Sequence, residues 1–221
     1  MSRRKTYPHY CLAARTLEVV GERWSLLIVR DLLRGPHRFS ELLRTVGGIT
    51  PRWLSLRLRE LEEAGIVHRE QRQGRKEVWY SLTPKGEDLR PVIEALVAWG
   101  MQHAMRLPLP GERIEPDVSL TGIASAFNAR GVRLDGPRTW VLRLDGGRSH
   151  TLRFDGERWT GSRGGAPADV TVEAAGNEWM TFLMALLEGR ARSLGELRIE
   201  GPPARVAEFL RTFGVPPVRA I

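Results

Sequence analysis

RFSELLRTVGGITPRWLSLRLRELEEAGIVHREQRQGRKEVWYSLTPKG, residues 38–86, holds two short amphipathic helices joined by a glycine turn, then two strand-like stretches around an arginine-rich tip. Thr50 before Pro51 sets an N-cap hydroxyl ahead of a residue lacking the backbone donor that a first helical turn leaves unused. Behind them Leu54, Leu58 and Leu61 fall on one face at spacings of four and three. Arg52, Trp53, Ser55, Arg57 and Arg59 fall on the other. A helix anchored by an apolar side and open on a basic, polar side suits a DNA major groove. The stretch therefore predicts a winged helix-turn-helix, mostly α with a β-hairpin wing.

The flanks complete that pattern. Residues 11–20 and 24–33 show helical periodicity, the second ended by Gly35-Pro36. Residues 39–46 form a third helix, with Ser40 near its start and Gly47-Gly48 after its end; residues 50–64 form a fourth, stopped by Gly65 at a C′ position. Strands are expected at 66–70 and 77–82, around a turn holding Arg72, Arg75 and Lys76. A single long helix is expected from Pro84 to about Met105, with Leu89, Ile93, Leu96 and Gly100 along one stripe.

Charge is distributed unevenly. Up to residue 107 the chain carries 19 Lys and Arg against 12 Asp and Glu; beyond it the numbers are 15 and 14. A basic excess confined to one half points to a polyanionic partner, and nucleic acid fits better than a membrane because no separate basic amphipathic surface helix is evident. No apolar run approaches the ~18 residues of a membrane span, and MSRRKTYPHY lacks the apolar segment of a signal peptide. The single cysteine permits no internal disulfide. These features lead to the expectation of a cytoplasmic protein. With 221 residues, 42% of them hydrophobic, the chain can bury one large core or two small ones.

Two prolines and a glycine in Leu107-Pro108-Leu109-Pro110-Gly111 rule out a regular helix. A linker is therefore expected at 107–118, between domains at 1–106 and 119–221. In the second half, residues 120–128 read as a helix. Apolar alternations at Trp140-Leu142-Leu144 and His150-Leu152-Phe154 read as strands, with Asp145-Gly146 and Asp155-Gly156 as turn signals. Val170-Val172 and Leu197-Ile199 extend the sheet, 177–187 is an apolar helix, and 203–213 closes with a helix. The expected fold is an α+β domain with an antiparallel sheet.

The phrases GERWSLLIVRDLL (residues 21–33), RFSELLRTVGGITPRWLSLRLRELEEAGIV (38–67) and YSLTPKG (80–86) resemble the HxlR family of winged-helix transcriptional regulators, over about residues 8–105. The resemblance implies a homodimer, formed by the first and last helices of the domain, on an inverted-repeat operator. Leu56 departs from the pattern, standing where relatives commonly carry Gln. More loosely, PADVTVEAAGNEWMTFLMALLEGR (167–190) and LGELRIEGPPARVAEFLRTF (194–213) resemble a sterol carrier protein type-2 domain. That implies a sheet-and-helix shell around an apolar tunnel for lipids or other hydrophobic molecules.

Chemistry assigns roles within this frame. Arg52 and Arg57 are candidates for base edges, because a guanidinium can pair with guanine. Trp53 and Ser55 lie beside them, while Arg38, Ser40 and Thr50 sit near helix starts that set register on phosphates. Arg72, Arg75 and Lys76 are candidates for the adjacent groove or backbone. Arg59 has Glu62 or Glu63 as an expected ionic partner. Cys11 opens the first helix, where a thiol can be activated, and some relatives sense oxidants with an N-terminal cysteine. Its alternative is an inert apolar residue at a dimer interface.

The candidate ligand lining is Trp140, Leu142, Leu144, Leu152, Phe154, Trp179, Phe182, Leu183, Leu186 and Phe209, with Trp159 and Phe213 near it and with Val141, Arg143 and Arg153 facing water. Plain core is the competing reading of that set. The five histidines are scattered without ligand spacing, and Gly161-Ser162-Arg163-Gly164-Gly165 reads as a flexible loop rather than a phosphate cradle. No metal, cofactor or enzymatic activity is expected. The expectation is a dimeric DNA-binding regulator modulated by a hydrophobic molecule or by Cys11 oxidation. The alternative is a lipid carrier whose winged domain serves dimerisation or protein contacts.

Overall fold

The computed structural model describes residues 6–8, 10–71, 77–104, 106, 109, 112, 116–144, 148–174, 178–179 and 197–214. The chain forms two compact units, residues 1–93 and 94–221.

The first unit runs α1 (Leu12–Val20), α2 (Ser25–Leu32), β1 (His37–Arg38), α3 (Phe39–Val46), α4 (Pro51–Glu63), β2 (Val67–Gln71), β3 (Val78–Leu82) and α5 (Pro84–Glu87). Its antiparallel sheet has the order β1-β3-β2, with Arg38 opposite Trp79 and Val67 opposite Leu82. The two-residue β1 is too short for a period-two pattern and escapes sequence reading. Ile28, Val29, Leu32, Leu42, Leu54, Leu58, Leu61 and Ile66 make the core. The helix expected over 84–105 is two, α5 and α6 (Arg90–His103). Pro91 has no N–H for the Glu87 carbonyl, so a continuous helix loses a bond there, and the proline settles in the first turn of α6 instead. Leu96, expected on the packed stripe, is half exposed, whereas Ile93 is buried.

A carboxylate organises the packing of α2 on α3. Asp31 is fully buried; Arg30 and Arg34 each approach Oδ1 at 2.9 Å, and the Thr45 hydroxyl donates to Oδ2 at 2.5 Å. A buried charge is tolerated only when paired and hydrogen-bonded in this way.

The second unit takes in the rest of α6, α7 (Pro116–Ala129), β4 (Arg138–Leu144), β5 (Arg148–Phe154), β6 (Trp159–Arg163), β7 (Val170–Ala174), β8 (Arg198–Glu200) and α8 (Pro203–Thr212). Glu94 belongs to it through Arg158, at 3.0 Å, and the Asn128 amide, at 3.4 Å. The sheet order is β6-β5-β4-β7-β8, and β7 lies parallel to β4. The sheet is therefore mixed, not antiparallel as expected: after the β4-β5-β6 meander the chain crosses to the free edge of β4 and re-enters in the same direction. Three local expectations also change. Residues 116–118, assigned to the linker, begin α7; the expected loop at 161–165 starts as strand β6; and Val141, expected in water, is buried. The linker's other residues are largely outside the described set, as are the helix expected at 177–187, apart from 178–179, and the Asp145-Gly146 turn.

Replacing Asp31 by Ala strips a buried carboxylate from α2 and α3. The substitution is expected to cost about 3 kcal/mol, read as a lower midpoint in chemical denaturation of the full chain. A loss under about 1 kcal/mol would mean that the carboxylate does not organise this packing.

Candidate nucleic-acid interface

Helix α4 is packed along one side and open along the other. At its start the Trp53 N–H donates to the Thr50 hydroxyl at 3.4 Å and Pro51 occupies the first turn, as the N-cap reading expects. Leu54, Leu58 and Leu61 are at most 2% exposed. Gly47 and Gly48 both take positive φ, 64° and 66°, which permits the tight turn from α3; a side chain at Gly48 would meet Trp24, 3.4 Å away. Trp24 itself has φ 81°, the only positive value among described non-glycine residues. The outer face carries exposed Arg52, Trp53, Ser55 and Arg59. Neither Arg52 nor Arg59 makes an ion pair with a described residue, so Arg59 does not take the Glu62 or Glu63 partner expected for it.

Arg57 is the main correction. Expected on the open face, it is only 4% exposed, pairing with Glu60 at 2.5 Å and Glu22 at 3.6 Å. Its guanidinium also lies 5.5 Å from the Trp53 ring centroid, within cation–π range. The signal was present in the spacing. Arg57 follows Leu54 by three and precedes Leu61 by four, which places it at the edge of the leucine stripe. Glu60, three residues on, was equally legible, whereas Glu22 comes from the loop after α1 and no local pattern marks it. Arg57 thus fixes α4 to the fold and is not free to reach a base.

The other expected contacts are arranged around α4. Arg38 caps α3 through its N–H, which donates to Glu41 Oε2 at 2.8 Å. Its side chain pairs with Glu77 at 3.0 Å and covers the Trp79 ring at 4.9 Å. Ser40 and Thr50 are exposed. Arg72, Arg75 and Lys76 lie outside the described residues. Cys11 is exposed and stands at the N-cap of α1 without a side-chain cap bond. Nearby, the Tyr7 N–H and the Arg15 guanidinium hold the Glu18 carboxyl below its ordinary range.

In the second unit Trp140, Leu142, Leu144, Leu152, Phe154, Trp179 and Phe209 come together in one buried cluster. Trp140 packs edge-on against Phe209 at 4.9 Å and Trp159 lies against Phe154 at 5.1 Å, so the described members act as core. Phe182, Leu183 and Leu186 lie outside the described residues. A cleft of about 620 Å³ opens elsewhere, among Val132, Arg133, Leu134, Asp135 and the α8 residues Ala204, Arg205, Glu208, Arg211 and Thr212. Its lining is largely charged. Arg138 and Arg205 both pair with Glu208 there, at 3.1 and 2.8 Å. Among the described residues no helix is long and apolar enough to cross a membrane, and no cluster of three metal-type side chains occurs.

Comparison with known proteins matches part of the chain. The family described as HxlR-like helix-turn-helix matches residues 19–108. The HTH-type transcriptional regulator YdeP of Bacillus subtilis is 39% identical over 98 residues, which span 44% of this chain and 77% of YdeP. An HTH-type transcriptional regulator of Mycobacterium tuberculosis is 38% identical over 128 residues, spanning 53% of this chain and 80% of the relative. Among solved structures, the redox regulator HypR in its oxidized form is 39% identical; the match covers 42% of this chain and 97% of HypR, with a TM-score of 0.41.

Arg52→Ala and Arg57→Ala should separate surface from scaffold. The first is expected to leave thermal unfolding within about 0.5 kcal/mol of the unaltered chain. The second is expected to destabilise by about 2 kcal/mol, because it leaves Glu22 and Glu60 without their buried counter-charge. Equal effects would contradict the division of roles.

Proposed function

This chain belongs to the HxlR-like helix-turn-helix family and is a transcriptional regulator of that type; we propose that it acts as a homodimer on an inverted-repeat operator. The observation that carries this reading is α4, with its leucine face buried and Arg52, Trp53 and Ser55 presented together to solvent. Arg52 pairs with a base edge in the major groove, and Ser55 reaches a base or phosphate. Arg38, Ser40 and Thr50 set register on phosphates, and Arg72, Arg75 and Lys76 add salt-sensitive affinity from the wing. Arg57 positions α4 and does not itself read bases. Residues 1–106 act as the DNA-binding and dimerisation domain, the segment from 107 to the start of α7 as the linker and α7 onward as the regulatory domain, and the protein works in the cytoplasm.

The dimer reading is supported by apolar surface on both helices that the family resemblance implicates. On α6, Val92, Leu96 and Trp99 recur at spacings of four and three and are 39%, 50% and 61% exposed. On α1, Leu12 and Leu17 are 74% and 47% exposed. Contact between two copies removes this surface from water. Binding both half-sites then requires recognition helices about one DNA turn apart, roughly 34 Å.

We infer that residues 119–221 form a sterol-carrier-like domain that takes a hydrophobic molecule as effector. The order of β7, β8 and α8 supports this, as does the family phrasing of 167–213. Cys11 is a second input: its exposure at the start of α1, the proposed dimer helix, lets oxidation bear on dimer geometry.

The test is anisotropy of the full chain with duplexes enriched from a random-sequence library. Log affinity is expected to fall linearly with log salt, and Arg52→Ala to weaken binding by about 30-fold or more, since both subunits lose a contact. Fatty acid and diamide, added separately, are expected to shift the curve. Failure to enrich any sequence would overturn the reading. In sedimentation, Leu96→Glu with Trp99→Glu is expected to convert a dimer to a monomer; an unaltered dimer would place the interface elsewhere.

A further inference from the structure

Trp53 is an indole left 51% exposed on a helix whose apolar side already has its leucines. It contributes little to the core, yet it is held in place. Its backbone N–H is tied to the Thr50 cap, which puts it in the first turn of α4, and the Arg57 guanidinium lies 5.5 Å from its ring centroid. That guanidinium is itself anchored by Glu60 and Glu22. Leu56, half-buried, follows three residues on and so shares its side of the helix. Leu56 also follows Arg52 by four, so the apolar pair borders the side of the helix that carries Arg52 and Ser55.

The edges of base pairs in the major groove present donors, acceptors and one apolar group, the thymine C5-methyl. An indole offers a single donor, no acceptor and a broad apolar face, and a leucine offers apolar surface alone. Polar edges suit Arg52 and Ser55; the methyl suits the other two. First-turn residues of a recognition helix are those that reach base edges. We propose that Trp53, with Leu56 beside it, reads the C5-methyl group of a thymine in each half-site, with Arg57 positioning the ring from beneath. The inference rests on the regulator reading above and adds base identity to it.

Deoxyuridine in place of thymidine removes that methyl and keeps the base pair intact. The full chain is titrated with its library-enriched duplex carrying deoxyuridine at one thymine at a time, then at symmetry-related pairs. One position per half-site is expected to lose about fourfold in affinity, and the symmetric pair about 15-fold, the effect of one methyl withdrawn from each apolar contact. Trp53→Ala is expected to bind the thymidine duplex as weakly as the unaltered chain binds the doubly substituted one, and to lose its response to deoxyuridine. Indifference of the unaltered chain at every thymine, an enriched site without thymine, or undiminished sensitivity in Trp53→Ala would each overturn the proposal while leaving DNA recognition intact. Enrichment of no sequence would overturn both.

Discussion

Burial of three leucines on one side of a thirteen-residue helix is the constraint on which the rest depends. With Leu54, Leu58 and Leu61 almost wholly removed from water, α4 cannot rotate about its axis without exposing apolar surface, at ~25 cal/mol for each Å² uncovered. The orientation of Arg52, Trp53 and Ser55 then follows from helical geometry alone. Thr50 and Pro51 set where the helix starts, and Gly47-Gly48 set the turn that brings it off α3. Each choice is local, and all agree on one outward face.

Charges are divided between scaffold and surface. Asp31, buried with Arg30, Arg34 and the Thr45 hydroxyl around it, and Arg57, buried beside Glu22 and Glu60, are charges committed to partners within the unit, where losing one partner strands another. Arg52 and Arg59 make no ion pair with a described residue. The basic excess of the first half therefore overstates the charge available to a polyanion. A guanidinium paired with two carboxylates adds little outward field, whatever its formal charge. In the second unit the same economy operates, since Arg138 and Arg205 share Glu208 beside a cleft whose rim is charged rather than apolar.

Legibility varied with the range of the interaction. Thr50-Pro51, Gly65 and the leucine spacing are local signals, and α3, α4, β2 and β3 appear within a residue or so of their expected positions. Pro91 was an equally local signal, but apolar periodicity on both sides of it read as one helix. Arg57 is a residue type expected at the surface, yet its spacing sets it beside Leu54 and Leu61, and position prevails. Glu22, the two-residue β1 and the parallel pairing of β7 with β4 depend on contacts distant in sequence, which a single chain does not encode as pattern. In the second unit the alternation of Trp140, Leu142 and Leu144 located a strand and its inner face. It could not separate a tunnel lining from a packed core, since both demand the same residues.

The central claim, that the outward face of α4 enters the major groove twice in a symmetric complex, is tested most directly by dimethyl sulfate footprinting of an enriched duplex, which reports guanine N7 at the major-groove edge. Two patches of protected guanines related by a dyad, with centres about one helical turn apart, are the result expected. Guanine N7 atoms left fully reactive throughout the bound site, or protection on a single half without a symmetric counterpart, would contradict it.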